Sequence, residues 1–229
     1  GIAAFSRELQ NDPRNPELAI FDSSTFQRFR LVGRGASAVI ERTDARGRVV
    51  RVPLAECTAI LRWDPAAGGV GGDYAAIVAM ARDRHGYSYV LAVWMRQEKP
   101  TAQIAAAFTL AETLGISLCS YENNGFQRTL EDSFNRERDR RRLAGEFWQL
   151  QLVGEPSTTN KEDRICALEV PISAGWLLFA DDLPRPYMAQ WDAITAAGSM
   201  DHDDGPDATE GAYVRLGVRT ANVQGARAF

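Results

Sequence analysis

The sequence has 229 residues, of which 45% are hydrophobic and 24% charged. That is enough for one large domain with a sizeable core, and it is ordinary for a soluble globular chain. Lys and Arg number 26 against 30 Asp and Glu, a formal net charge of −4, which excludes a generally basic surface and leaves only local patches to meet a polyanion. The three cysteines, Cys57, Cys119 and Cys166, are odd in number and fit no zinc or disulfide spacing; each sits in an apolar run, which predicts buried free thiols and a reducing compartment. No signal peptide is expected, and the sequence has no apolar run long enough to span a bilayer. A start at Gly1, in mid-pattern, is expected of a piece of a longer protein.

In chain order, residues 1–27 read as a lead-in. Ala3–Gln10 has the makings of a short helix that Asp12-Pro13 and Asn15-Pro16 break, and Phe21 and Phe26 are placed to tack the segment onto the body. Ser37–Glu41 and Arg48–Pro53 flank TDARGR, a hairpin signal with Gly47 in the turn and a local basic patch at Arg42, Arg46, Arg48 and Arg51. A boundary is expected near residue 57, with 1–57 as lead-in and hairpin and 58–229 as the main domain. Next, an apolar strand ends at Asp64, the turn Gly68, Gly69, Gly71 and Gly72 follows, and Tyr74–Ala81 and Tyr87–Gln97 continue as strands, giving three consecutive antiparallel strands.

Pro100-Thr101 opens a helix with Ile104, Ala107, Phe108, Ala111 and Leu114 on one face, closed by Gly115. Ile116–Tyr121, directly after it, predicts a parallel inner strand that ends at Glu122. Asn124 is a candidate cap for a helix carrying Phe126, Leu130 and Phe134 and running on through Arg136–Leu143. Further expectations are a strand at Phe147–Val153, a helix opened by a Thr159/Glu162 capping box, a strand at Trp176–Phe179, a helix at Pro186–Ala197, and a last helix at about Pro206–Val218. The pattern defines an α/β fold with a mixed sheet flanked by helices.

An acid at the tip of a buried strand costs desolvation energy unless it is neutralised, and a divalent cation is the usual neutraliser where several acids converge. Asp64 and Glu122 both end apolar strands; if those strands are neighbours, the acids lie roughly 5 Å apart, at the sheet edge where α/β sites gather. DHDDGPDATE supplies Asp203, Asp204 and Asp207, with Asp204 and Asp207 three apart and able to share one side of a helical turn. Such a set suits Mg²⁺ or Mn²⁺, which take hard oxygen ligands; two ions about 4 Å apart serve phosphodiester hydrolysis. His85 and His202 are the only histidines, so no histidine–cysteine site competes. The glycines of 68–72 have two readings, a phosphate cradle or a tight hairpin. Lys161 and Arg164 have two as well: solvated helix charges, or cations balancing a phosphate.

WDPAAGGVGGDYAAIVAM at 63–80, YENNGFQ at 121–127, NKEDRI at 160–165 and HDDGPDATE at 202–210 together resemble the C-terminal nuclease domain of tailed-phage terminase large subunits, the DNA-packaging motor proteins. FSRELQNDP at 5–13 resembles the segment that follows the ATPase domain in that family. The resemblance implies an RNase H-like fold and an endonuclease that cuts concatemeric double-stranded DNA during genome packaging. It implies two Mg²⁺ or Mn²⁺ ions held by Asp64, Glu122 and some of Asp203, Asp204 and Asp207, with Asp64, Glu122, Asp204 and Asp207 catalytic. Arg46, Arg48, Arg138, Lys161 and Arg164 are the candidate DNA contacts. No GxxxxGK[ST] loop occurs, so an ATPase domain is expected outside this sequence. Implied partners are that domain, the portal protein and the small terminase subunit, with no membrane, in the bacterial host cytoplasm at the procapsid portal. Competing readings are a Holliday-junction-type resolvase, a portal- or ATPase-docking module with weak cutting, and an actin-like nucleotide phosphatase.

Overall fold

The computed structural model describes residues 19–68, 73–122, 127–155, 160–195, 198–199 and 202–225. Among the described residues, alternating and all-apolar runs become eleven strands: β1 (Arg28–Val32), β2 (Val39–Thr43), β3 (Val49–Pro53), β4 (Thr58–Asp64), β5 (Ala75–Arg82), β6 (Ser88–Arg96), β7 (Leu118–Glu122), β8 (Gln151–Glu155), β9 (Leu177–Ala180), β10 (Ile194–Thr195) and β11 (Gly198–Ser199). The first nine form one mixed sheet in the order β3-β2-β1-β9-β6-β5-β4-β7-β8. β4, β5 and β6 are the predicted antiparallel trio, while β7 runs parallel to β4 and β8 parallel to β7. Both inner strands, β4 and β5, are nearly continuous apolar runs because helices cover both faces.

One face is covered by α1 (Pro100–Leu114) and α2 (Gln127–Ala144). Leu61, Trp63, Ile77 and Tyr121 pack there on Ile104, Phe108, Leu130 and Phe134, and Phe108 stacks on Phe134 at 4.9 Å. The other face is covered by α3 (Lys161–Cys166), α4 (Glu169–Ser173), α5 (Arg185–Asp192) and the long α6 (Asp204–Gly225). Ile60, Ala76, Val78 and Met80 meet Ile165, Trp191, Ala208, Ala212 and Leu216 there. The period of two in β4 therefore sends Trp63 to the α1/α2 side and Asp64 to the α6 side. Phe21 and Phe26 tie the described part of the lead-in, residues 19–27, to the body, edge-on to Trp191 at 4.9 and 5.7 Å.

Several boundaries differ from the sequence reading. β1 was not anticipated; it joins the predicted hairpin to β9, so residues 19–57 and the rest of the chain share one sheet. β8 begins at Gln151 rather than Phe147, since pairing of Leu118–Glu122 with Gln151–Glu155 sets its register. Asn160, not Thr159, caps α3: its side chain accepts from Glu162 N, and two short helices follow instead of one. α5 stops at Asp192, whose carboxylate accepts from Ser23 N at 2.7 Å and Ser23 Oγ at 2.9 Å, and β10 follows at once. α6 starts at Asp204, with Pro206 inside its first turn, where proline is tolerated. Of the cysteines only Cys119 is fully buried; Cys57 and Cys166 are half-buried, and all three are free thiols. The helix expected at Ala3–Gln10, Gly69–Gly72, Asn124, Phe126 and Thr159 lie outside the described residues. Among the described residues no helix is long and apolar enough to cross a membrane.

Candidate active site

β4 and β7 pair in parallel with Trp63 opposite Tyr121, so the next residue of each strand, Asp64 and Glu122, projects to the α6 face at the same sheet edge. In β8, Glu155 lies opposite Glu122 and shares that face. The loop leaving Asp64 is pinned from the other side. Gln103, fully buried on α1, accepts from Trp63 Nε1 at 3.2 Å and donates to the carbonyls of Ala66 at 2.8 Å and Glu98 at 2.7 Å. Gly68 then turns with φ of 74°, and a Cβ there would lie 2.2 Å from the Glu98 carbonyl oxygen. A tight backbone approach accounts for Gly68 without a ligand.

The first turn of α6 brings Asp204 and Asp207 to the same place. Gln190 on α5 accepts from Gly205 N at 2.8 Å, taking up one of the helix's early backbone donors. Lys161 and Arg164, both on α3, bind the acids. Lys161 Nζ lies 2.9 Å from Asp203 and 3.4 Å from Asp207. Arg164 reaches Asp207 at 3.0 Å, Glu210 at 2.6 Å and Glu122 at 3.8 Å. The acids of β7 and α6 thus share one guanidinium, and Asp203, just before α6, and Asp207 share an ammonium that also acts on Asp64.

The electrostatics are those of crowded like charges. Burial pushes Asp64 up to about 7; Lys161 opposes this, and Asp207, Asp204 and Glu122 add to it. Burial also raises Asp204 and Asp207 above the usual carboxylate range against the pull of Lys161, and Glu210 against the pull of Arg164. For Lys161 itself burial disfavours the charge, but Asp207, Asp203 and Asp64 outweigh it and hold the ammonium well above its ordinary range. Asp204 Oδ2 is buried without a hydrogen-bond partner, with His202 Nδ1 3.8 Å away. Hard oxygen donors that repel one another fit a divalent cation in kind. In the present arrangement no three acidic, histidine or cysteine side chains among the described residues are set to hold an ion. Lys161 and Arg164 supply the positive charge instead.

Arg46, Arg48 and Arg138 are not brought to these acids. β2 runs opposite to β4, so the hairpin turn carrying Arg46 and Arg48 lies at the other end of the sheet, five strands across. Arg48 is bound to Asp44 at 2.8 Å. Arg138, in the later half of α2, lines a cavity of about 340 Å³ with Arg142, Trp148 and Gln151, at the start of β8 and away from Glu122. The sequence reading missed Glu210, Arg62, Glu155 and Arg215. The signal for Arg62 was legible: a charge in the middle of the apolar run Ile60–Trp63 must find a buried partner.

A nine-stranded mixed sheet with helices on both faces, and acids from two adjacent parallel strands and a final helix gathered at one edge, defines an RNase H-like α/β domain. The chain belongs to the terminase RNaseH-like domain family, whose sequence model matches residues 61–216, more than half its length. Solved structures agree on the fold. The large terminase nuclease from thermophilic phage G20c aligns with a TM-score of 0.53 at 14% identity, over 86% of this chain and 98% of that one. A structure of that nuclease with bound magnesium gives 0.51 at 13%, over 86% and 97%. The Thermus phage P74-26 large terminase nuclease domain gives 0.53 at 15%, over 85% and 94%. No curated protein matches the sequence.

Proposed function

We propose that the chain is the nuclease domain of a viral terminase large subunit, an Mg²⁺- or Mn²⁺-dependent endonuclease that cuts concatemeric double-stranded DNA during genome packaging. The observation that carries this reading is the meeting of Asp64, Glu122, Asp204 and Asp207 at one sheet edge in a chain of this family. The phage G20c large terminase nuclease has been solved with bound cobalt, magnesium and zinc, and the hard oxygen donors gathered here suit a divalent cation. Asp64, on which Glu122, Asp204 and Asp207 all act, would hold such ions together with those three carboxylates and Asp203. The ions, when bound, supply the positive charge that activates water and stabilises the departing oxygen.

The chain's own residues do the rest. The β4–β7 register fixes the spacing of the two strand-borne carboxylates, and the Gln190 cap fixes the first turn of α6. Lys161 and Arg164, already at this edge, are placed to receive the phosphate's negative charge once ions take over the carboxylates. Arg46, Arg48 and Arg138 then belong to a longer DNA track rather than to the site. Contact through the backbone implies little base preference. The reading carries with it an ATPase domain, the portal protein and the small terminase subunit as partners, in the host cytoplasm at the portal. The test is plasmid nicking or linearisation by the purified chain with Mn²⁺ or Mg²⁺. Asp64→Asn is expected to abolish cutting with native circular dichroism, and undiminished cutting by that variant removes Asp64 from the mechanism.

A further inference from the structure

Arg62 is only 6% exposed, although it sits in the middle of a central strand. Two residues before Asp64, it points to the same face, opposite Ser120 of β7, with Nη1 3.5 Å from Ser120 Oγ and 2.7 Å from Glu155 Oε2. Glu155 is itself the strand neighbour of Glu122, and its other oxygen pairs with Arg215 of α6 at 2.9 Å. Above Arg62, α6 presents Gly211. A Cβ there would lie 2.5 Å from Arg62 Nε and 2.9 Å from its Cζ. That tip cannot swing away cheaply, because Glu155 holds it.

The two elements keep step. Asp207, Gly211 and Arg215 lie four apart on one stripe of α6, rising about 6 Å each time. Asp64 and Arg62 lie two apart on β4, about 6.6 Å. The layer holding Asp207, Asp64, Glu122 and Glu155 therefore rests directly on a layer holding Gly211 and Arg62; the Glu155 side chain reaches down to Arg62, and Arg215 lies one turn further along α6. A half-buried ion network of this kind, with only Arg62 fully enclosed, is poor at adding stability, since well-packed apolar groups do as well. Its rigid, planar fork is good at fixing distance and direction.

We infer that Arg62 is a positioning residue: clamped by Glu155 in the notch left by Gly211, it sets the height of the α6 carboxylates over Asp64 and Glu122. This rests on the metal-nuclease reading and names the part that spaces its ligands. The test compares the 229-residue chain with Gly211→Ala and Arg62→Lys. Mn²⁺ affinity is measured by titration calorimetry, the Mn²⁺ needed for half-maximal nicking by assay, KM for DNA by kinetics, and folding by circular dichroism. Gly211→Ala keeps every charge, favours the helix intrinsically and fills only the notch over Arg62, and circular dichroism reads whether its fold is retained. Both variants are expected to bind Mn²⁺ at least tenfold more weakly and to need correspondingly more of it, with KM for DNA within twofold of wild type. Wild-type Mn²⁺ affinity and cutting in a folded Gly211→Ala overturn the inference whatever Arg62→Lys does. Loss of native dichroism in both variants overturns it too, because Arg62 is then a stability residue only. If the unaltered chain binds no Mn²⁺, it is the nuclease reading that fails, which is a separate result.

Discussion

Asp64 is the acid whose charge is hardest to sustain, and the pH dependence of the whole chain follows from it. Unfolded, its carboxyl titrates near its ordinary 3.8; folded, burial and the neighbouring acids hold it at about 7. Between those values the folded state keeps a proton that the unfolded state has lost, so stability falls as pH rises through the window and levels off above 7. Asp204, Asp207 and Glu210 are shifted in the same direction and add to the slope. The size is on the order of 2–4 kcal/mol over the window. Without divalent ions, the melting temperature is expected to drop between pH 5 and 7.5, and Asp64→Asn is expected to flatten much of that drop. A melting temperature that climbs over this range refutes the assignment. On the proposed metal reading, proton and cation compete for the Asp64 carboxylate, so Mn²⁺ binding is expected to tighten from pH 6 to pH 8, as calorimetry at the two values reads directly.

At the scale of elements, the loop after β4 is a built structure. Gly68 takes a left-handed φ against the Glu98 carbonyl, and Gln103 ties both flanking segments to α1. Gly68→Ala combines backbone strain with a clash that the Glu98 backbone cannot avoid, a cost of about 1–3 kcal/mol. The expected result is a lower urea midpoint and weaker Mn²⁺ binding; an unchanged midpoint removes Gly68 from the loop's architecture. Elements of this kind were legible where local chemistry and burial agree. The Asp64 strand, the helix from Pro100 to Gly115 and the strand ending at Glu122 all declare themselves through apolar runs and caps. Elements whose ends are set by distant partners were not. Nothing local says that Ser23 will terminate α5 at Asp192, or that pairing with β7 will place β8 four residues after Phe147. RFRLV of β1 did alternate, with Phe29 buried and Arg30 exposed, but its five residues fall between a lead-in and a stronger hairpin signal.

For the molecule as a whole, the acids of the site were readable as a set, but the placement of the basic residues was not, because charge alone carries no topology. Lys161 and Arg164 meet the acids, whereas Arg46 and Arg48 lie across five strand spacings and the length of a strand, a diagonal of roughly 30 Å. With a net charge of −4, the proposed DNA contact falls to such local cations, and salt is expected to weaken binding in proportion to the phosphates touched. At 3.4 Å per base pair, a 12-base-pair duplex cut at its centre extends only about 20 Å to either side and falls short of the hairpin turn. Arg46→Ala/Arg48→Ala is therefore expected to leave KM for that duplex unchanged. For plasmid it is expected to raise KM and to lower the slope of log KM against log salt by about one to two units. Arg46 contributes the larger share, since Arg48 is partly neutralised by Asp44. Identical behaviour on both substrates takes the hairpin off the DNA track, and a loss on the short duplex alone places DNA across the sheet in a direction that this topology does not allow.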